Sequence, residues 1–130
     1  MADTLFVGEK FAITFQIAQA DLIANNTIDF VAPASGYIDE LVTTIDKAIT
    51  TGGTLTLKTG DALATTVAGV TQTIANAATK GTRQTTQANG TQANRAVQKG
   101  DRIAIVPASF ATAGAINGRI GFRTADLTKA

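Results

Sequence analysis

Short runs in which apolar and polar residues alternate recur along this chain, and they constrain its fold more than any other feature. The run FAITFQI, from Phe11 to Ile17, places four large apolar residues on one side of an extended strand. Shorter runs of this kind are TIDFV, TLTLK, RIAIV and GRIGF. We therefore predict a mainly β fold, a single antiparallel β-sandwich of jelly-roll type with seven or eight short strands. The residues predicted to be mostly buried are Phe11, Ile13, Phe15, Ile28, Phe30, Ile38, Leu55, Leu57, Ile103, Ile105, Ile120 and Phe122.

The composition agrees with a sandwich of modest side chains. Of the 130 residues, 24 are Ala, which buries little area, and 22 are Thr, which favours strands over helix interiors. No linker-like segment and no internal repeat divides the chain. We predict one jelly-roll domain over residues 1–130, with residues 1–10 as an extended arm and residues 79–100 as a long polar loop or edge region.

Two places depart from regular alternation. In SGYIDELVTTIDKAI the spacing of Ile38, Leu41 and Ile45 breaks the alternation once, which predicts a β-bulge near Asp39 and Glu40. Neighbouring carboxylates on a regular strand point to opposite faces, so only such a bulge would let these two act together. A helical turn is predicted in one segment alone, Gly60–Ala78, from the spacing of Leu63, Val67 and Val70.

The residues available for chemistry argue against an enzyme. The chain contains no His and no Cys, which removes the commonest general base, the commonest metal ligand and the best nucleophile. The ten acids are scattered singly except for Asp39 and Glu40, and no serine lies in a nucleophile elbow. We expect no catalytic residues, no cofactor and no bound metal.

Nucleic acid and membrane are also unexpected partners. The net charge is only +1, and no aromatic residue lies among the basic positions. The amino-terminal segment lacks the pattern of a signal peptide, and no apolar stretch approaches the ~20 residues of a membrane span. We therefore expect a soluble, non-secreted protein.

Charge is polarised along the chain. Residues 1–61 hold eight acids against three lysines, a net charge of −5. Residues 62–100 hold four bases and no acid, and residues 101–130 add a net +2. Either folding intermixes these segments, or the folded protein has two surfaces of different charge, as docking onto a large acidic partner requires.

Part of the basic segment cannot build a core. Between Lys80 and Arg95 there is no large apolar residue, which indicates a polar loop free to contact a partner or simply mobile in solvent. Its side chains offer hydrogen bonds worth ~1 kcal/mol net each. The candidate contact residues are Lys80, Arg83, Arg95 and Lys99 for charge and Gln84, Gln87, Asn89 and Gln92 for neutral hydrogen bonds, with Leu5 and Phe6 as the alternative contact.

Three segments within residues 27–124 carry a family resemblance: APASGYI leading into TTIDKAI, GTLTLKTG between glycine turns, and VQKGDRIAIV. With them the chain resembles the small jelly-roll cement, or decoration, proteins of tailed-bacteriophage capsids. The resemblance implies a non-enzymatic protein made in the host cytoplasm and placed on the outer capsid surface of the virion. The implied partners are the major capsid protein and further copies of the chain, as a homotrimer or, less favoured, a homodimer.

Two other classes stay open. One is a receptor-binding or spike-tip jelly-roll domain of a phage, which differs from a decoration protein mainly in copy number. The other is a free-standing trimeric ligand domain of the tumour-necrosis-factor and C1q shape. The lack of disulfides and of a signal peptide weighs against the second.

Overall fold

The computed structural model describes residues 10–63, 65–89 and 95–124. Within these ranges the chain forms nine β-strands and one short helix. The elements are β1 (Lys10–Ile17), α1 (Gln19–Ile23), β2 (Ile28–Val31), β3 (Gly36–Lys47), β4 (Gly53–Thr59), β5 (Thr65–Ile74), β6 (Arg83–Gln87), β7 (Ala96–Val97), β8 (Arg102–Ala108) and β9 (Ala115–Thr124).

The strands form two antiparallel sheets that pack as a sandwich. Sheet A has the order β1-β9-β3-β6, with β7 also paired to β3, and sheet B has the order β2-β8-β4-β5. The chain changes sheet at most of its connections, so strands that are neighbours in a sheet are mostly distant in sequence. Two sheets with four-strand paths, between which the chain passes back and forth in this way, have the jelly-roll topology. The predicted fold class, a mainly β antiparallel sandwich of jelly-roll type, is confirmed.

The core lies between the sheets and includes eleven of the twelve residues predicted to be buried, together with others. Seven of these eleven are at most 1% exposed: Ile38, Leu55, Leu57, Ile103, Ile105, Ile120 and Phe122. Four others are half-buried and pack against this core: Ile13, Phe15, Ile28 and Phe30. The side chain of Phe11 lies outside the described part of the chain. Each fully buried large side chain stabilises the fold by roughly 1.5–3 kcal/mol.

The segment over residues 60–78 contains a strand, so the prediction of a helical turn there is wrong. Strand β5 pairs with β4, but the register shifts between Thr56 and Lys58, where one β4 residue faces four β5 residues. This irregularity lets both Val67 and Val70 reach the core, where each is fully buried. A bulged strand has therefore produced the three-residue spacing that suggested a helix.

Helix α1 connects β1 to β2, where alternation gave no signal for it. Its Leu22 is fully buried against the end of the sandwich. Asn25 follows the helix with φ +55°, the left-handed conformation that Asn tolerates after a helix C-terminus. The Asn25 Nδ2 donates to the Phe110 carbonyl at 3.1 Å, and its Oδ1 accepts from the Phe110 N–H at 2.9 Å. One side chain thus fastens the α1–β2 connection to the β8–β9 connection.

The predicted bulge in β3 is present. Opposite β9, Ile38 pairs with Phe122 and Glu40 pairs with Gly121, which leaves Asp39 as the extra residue. Asp39 and Glu40 consequently line the same depression on the surface of sheet A. The bulge therefore brings the two neighbouring carboxylates together.

The polar passage over residues 79–100 contributes a strand to the edge of sheet A. Strand β6 pairs with β3, and its residues alternate between exposed and half-buried. The half-buried Thr86 accepts a hydrogen bond from Gln72 Nε2 at 3.1 Å, so this side of β6 faces β5. A strand without large apolar residues is sufficient here because Gln72 and Gln84 connect β5 and β6 through hydrogen bonds.

Candidate functional site

The outer face of sheet A gathers charged residues from strands that are far apart in the sequence. Because Ile120 and Phe122 point into the core, Arg119, Gly121 and Arg123 of β9 point outward. The pairing register then aligns rows of side chains across the sheet. One row is Ala12, Gly121, Glu40 and Gln87. We call this surface, formed by the outward residues of β1, β9, β3 and β6 together with the adjoining Arg95, the sheet-A face.

A depression of about 480 Å³, here called the charged cleft, follows that row. Its floor is low because Ala12 and Gly121 are small. A Cβ on Gly121 would lie 2.5 Å from the Glu40 Cγ, so the absence of a side chain lets Glu40 lie across the floor. The cleft is lined by Lys10, Ala12, Asp39, Glu40, Gln87, Ala88, Arg95, Arg119, Gly121, Phe122 and Arg123.

A second depression of about 280 Å³ lies beside the cleft and shares Arg119 with it. Val42 lies under it and is only 3% exposed although it belongs to the outer face, because Arg119 and Thr85 flank it in the neighbouring strands. Arg83 lines the far side of this depression. The two depressions form one continuous surface with Arg119 between them.

The charge of this surface is predominantly positive. Five bases line the two depressions, against the two acids Asp39 and Glu40, which gives a net charge of +3. The bases are Lys10, Arg83, Arg95, Arg119 and Arg123.

The ion pairs within the cleft are loose. Arg119 Nη2 lies 4.0 Å from Glu40 Oε2. Asp39 lies between two arginines, with distances of 3.6 Å to Arg95 Nη1 and 3.5 Å to Arg123 Nε. Contacts of this length lie beyond the 2.7–3.2 Å typical of N–H···O hydrogen bonds, so these three ion pairs leave most of the guanidinium donors without an acceptor among the described residues.

One of these donors is enclosed. The Arg95 side chain is 22% exposed, and its Nε is buried with no hydrogen-bond partner in the described part of the chain. Leaving a buried donor unsatisfied costs roughly 1–3 kcal/mol. The hydrogen-bonding capacity of the Arg95 guanidinium is therefore incompletely satisfied by the described residues.

The predicted contact residues divide between this face and other places. Arg83, Gln87 and Arg95 lie on the sheet-A face, and Asn89 is exposed just beyond β6. Gln84 is turned toward β5, where its Nε2 donates to the Thr73 carbonyl at 3.0 Å. The remaining predicted residues Leu5, Phe6 and Gln92 lie outside the described residues.

Lys80 and Lys99 are both exposed, but they lie at opposite ends of the sandwich. The turn that contains Lys80 bonds to the end of β3 through Gly81 N–H and Ile45 O, whereas the Lys99 N–H donates to Ser35, just before β3 begins. Ten residues of strand separate these places by roughly 30 Å. These two lysines therefore do not form one patch.

Sequence reasoning missed Lys10, Arg119 and Arg123 as members of the site. The segment RIGFR could have identified Arg119 and Arg123. Alternate residues of a strand share a face, so Arg119, Gly121 and Arg123 lie opposite to the apolar Ile120 and Phe122. Lys10 joins them through its pairing with Arg123 across β1 and β9, which only the sheet order reveals.

The outer face of sheet B is different in character. Its central part carries neutral residues, with Thr54 paired to Thr73 and Thr56 paired to Thr71. The charged residues described on this face lie toward one end, with Lys58 on β4 and with Arg102 Nε donating to Asp29 Oδ1 at 2.6 Å. This hydrogen bond raises the pKa of Arg102 above its ordinary value. The two faces of the sandwich therefore differ in charge.

The described residues offer few means for chemistry beyond hydrogen bonding and charge pairing. Among them, no cluster of acidic, His or Cys side chains is arranged to hold a metal ion. None of the helices they form is long and apolar enough to cross a membrane. The arrangement on the sheet-A face is suited to binding groups with negative charge.

Comparisons with known proteins give little more. No protein-family model matches the chain, and no curated protein matches it in sequence. It is similar to a chain in the structure of infectious bursal disease virus Gx strain, with 16% sequence identity and a TM-score of 0.38. The similarity covers 92% of this chain and 31% of that chain, so this chain spans less than a third of the viral one. Function is therefore inferred from the sheet-A face itself.

Proposed function

We propose that this protein is a non-enzymatic virion protein that decorates the outer surface of a tailed-phage capsid and stabilises the shell. The sheet-A face binds an acidic region of the major capsid protein. The observation that carries the proposal is the concentration of five bases against two acids on one face of the sandwich, while the opposite face is largely neutral.

This proposal shifts the expected contact from the polar passage to the sheet-A face. Lys80 and Lys99 lie too far apart to act together, whereas Arg83 and Arg95 lie on the same face as Arg119 and Arg123. The outer side of sheet A, with its path of four strands, is also large enough to contact another protein surface.

The affinity of the protein for the capsid depends on how many linked copies bind together. A solvent-exposed ion pair contributes only ~0.2–1 kcal/mol, so a single protomer binds weakly. We propose that the protein is a homotrimer, with a dimer as the less favoured state, because linked copies convert weak contacts into firm attachment. No other protein, nucleic acid or lipid is needed for this role.

The test is cosedimentation with heads that lack this chain, purified from the tailed phage whose genome encodes it. The variant Arg83→Glu/Arg119→Glu changes the net charge by −4 on the sheet-A face. The control Lys58→Glu/Lys99→Glu makes the same change of charge elsewhere. At low salt we expect wild type and the control to bind, and the face variant to lose binding.

Binding is then followed as salt is added, because screening weakens exposed charge contacts. Equal binding of the face variant and wild type at low salt would contradict the proposed contact. Failure of wild type to bind heads at all would contradict the decoration role. The copy number per head separates a shell-covering protein from a spike tip, which occurs in only a few copies.

A further inference from the structure

We propose that the charged cleft binds an acidic peptide segment, and that Glu40 holds the place of the incoming carboxylate in the free protein. The inference rests on the proposed function in one respect, since it names the part of the capsid partner that the sheet-A face recognises. Binding to the cleft itself can be measured without any capsid.

The cleft has the shape of a groove across the strands. The row from Ala12 through Gly121 to Glu40 forms its floor, and neighbouring rows raise its two walls. Arg119 lies on one wall, and the pair Lys10 and Arg123 lies on the other. Four strands spaced ~4.8 Å apart give a groove of roughly 14 Å, the length of four or five extended residues.

The arginines of the groove make only long ion pairs with the carboxylates beside them. Arg119 and Arg123 each meet one carboxylate, at 4.0 and 3.5 Å, and neither makes a side-chain hydrogen bond within the described residues. The same molecule shows what a tight pair looks like, because Arg102 Nε lies 2.6 Å from Asp29. A guanidinium has five N–H donors in a planar fork that suits a carboxylate. The groove therefore has donors to spare for a second carboxylate.

Glu40 is the group that such a carboxylate would displace. Its side chain lies across Gly121 on the floor, in the middle of the groove, and is 27% exposed. The long distance to Arg119 means that little is lost when Glu40 moves away. Once Glu40 has moved away from the floor, its negative charge no longer opposes an incoming carboxylate. That carboxylate can then approach Arg119 with bidentate geometry.

The inner end of the groove favours a peptide as well. Arg95 Nη1 lies 3.6 Å from Asp39 Oδ1, too far for a hydrogen bond, so it can donate to a main-chain carbonyl of the peptide. Gln87 adds an amide that both donates and accepts. Asp39 lies between Arg95 and Arg123, and its carboxylate repels a ligand with continuous negative charge. A segment with separate carboxylates and main-chain groups fits this pattern better than a polyphosphate or a sulfated sugar.

The experiment uses the full chain and a fluorescein-labelled hexapeptide in which glutamate and alanine alternate, with binding measured by fluorescence anisotropy at low ionic strength. We expect Arg119→Gln/Arg123→Gln to weaken peptide binding about tenfold or more, since two charge contacts are lost. We expect Glu40→Gln to strengthen binding about threefold or more, because the competing carboxylate is removed.

Matched controls separate the cleft from general charge. Lys58→Gln/Lys99→Gln removes two positive charges elsewhere, and Asp61→Asn removes one negative charge elsewhere. Both controls should bind the peptide within about twofold of wild type, and thermal melting checks that every variant is folded. Arg119→Lys keeps the charge without the planar fork, so binding intermediate between wild type and the double variant is expected.

Three outcomes would overturn the proposal. The first is the absence of peptide binding to wild type at low salt. The second is equal strengthening by Glu40→Gln and Asp61→Asn, which would remove any special role for Glu40. The third is tighter, Arg119-dependent binding of a heparin hexasaccharide, which would assign the cleft to an anionic glycan. If wild type binds phage heads but does not bind the peptide, the decoration role is supported and the inference about the cleft is contradicted.

Discussion

Thr43 of β3 and Gln72 of β5 join the two sheets through a hydrogen bond inside the core, where each is 1% exposed. The Thr43 hydroxyl donates to Gln72 Oε1. Gln72 Nε2 donates to Thr86 Oγ1 at 3.1 Å and to the Leu41 carbonyl at 3.3 Å. The buried amide thus has partners for its oxygen and for both of its N–H groups, which is the condition under which a buried polar group is tolerated.

The first prediction concerns this network. Gln72→Leu should lower the free energy of unfolding by about 1–3 kcal/mol, because it leaves the buried Thr43 hydroxyl without its acceptor. The double variant Gln72→Leu/Thr43→Val should cost less than the sum of the two single variants, since both partners are then apolar. Urea unfolding followed by circular dichroism measures all three.

The control for that experiment is the hydroxyl pair of Thr56 and Thr71, which lies 3.5 Å apart on an exposed surface. Thr56→Val should change stability by less than about 0.5 kcal/mol. Strict additivity of the Gln72 and Thr43 substitutions would show that the two side chains are not coupled.

The second prediction concerns Asn25. Asn25→Gly keeps a residue suited to φ +55° but loses both side-chain bonds to Phe110, and it should destabilise the protein by about 1–2 kcal/mol. Asn25→Ala loses the same bonds and also places a Cβ in the left-handed region, so it should cost about 1 kcal/mol more. Thermal melting of both variants tests the order. Equal stability of Asn25→Ala and wild type would mean that this connection is not fastened as described.

The third prediction concerns the close contact of β9 with β1. Gly118 points inward, and a Cβ there would lie 2.5 Å from the Val42 carbonyl oxygen and 2.6 Å from the Phe15 ring. Gly118→Ala should therefore cost about 1–3 kcal/mol through overpacking. Combining it with Phe15→Leu tests the source, because a smaller side chain should relieve part of the strain. An unchanged urea midpoint for Gly118→Ala would contradict the packing.

The fourth prediction is the oligomeric state. A trimer of this 13.3 kDa chain has a mass of three times that value, 39.9 kDa. Multi-angle light scattering at micromolar concentration should give this mass. A monomer mass in solution, together with single isolated copies on the phage head, would remove the avidity on which the proposed attachment depends.

Much of the fold follows from local sequence because alternation is a local property. The core positions Ile38, Leu55 and Ile120 can be assigned from their immediate neighbours, and the bulge at Asp39 from one break in the pattern. The segment that forms β5 was predicted to hold a helical turn, because a bulged strand and a helical turn both place apolar residues three apart. Helix α1 has only five residues, too few to give a periodic signal.

The site is harder to predict because it is assembled by pairing register. Lys10 and Arg123 lie near opposite ends of the chain, and they meet only because β1 pairs with β9. Arg95 was expected to contact a partner as a free charge, yet Asp39 of β3 lies 3.6 Å from it. Reading charge along the chain located the basic segments, but it could not tell which of their residues share a face.

The extra residue in β3 has a consequence for how this strand can change. Ile38 and Leu41 both reach the core, and with Asp39 removed the order would be Ile38 inward, Glu40 outward and Leu41 inward. A one-residue deletion there would remove two ion pairs and the Ala88 N–H to Asp39 carbonyl bond, while every core residue kept its orientation. A deletion at this position can therefore alter the charge on the outside of the strand while its inner side stays the same.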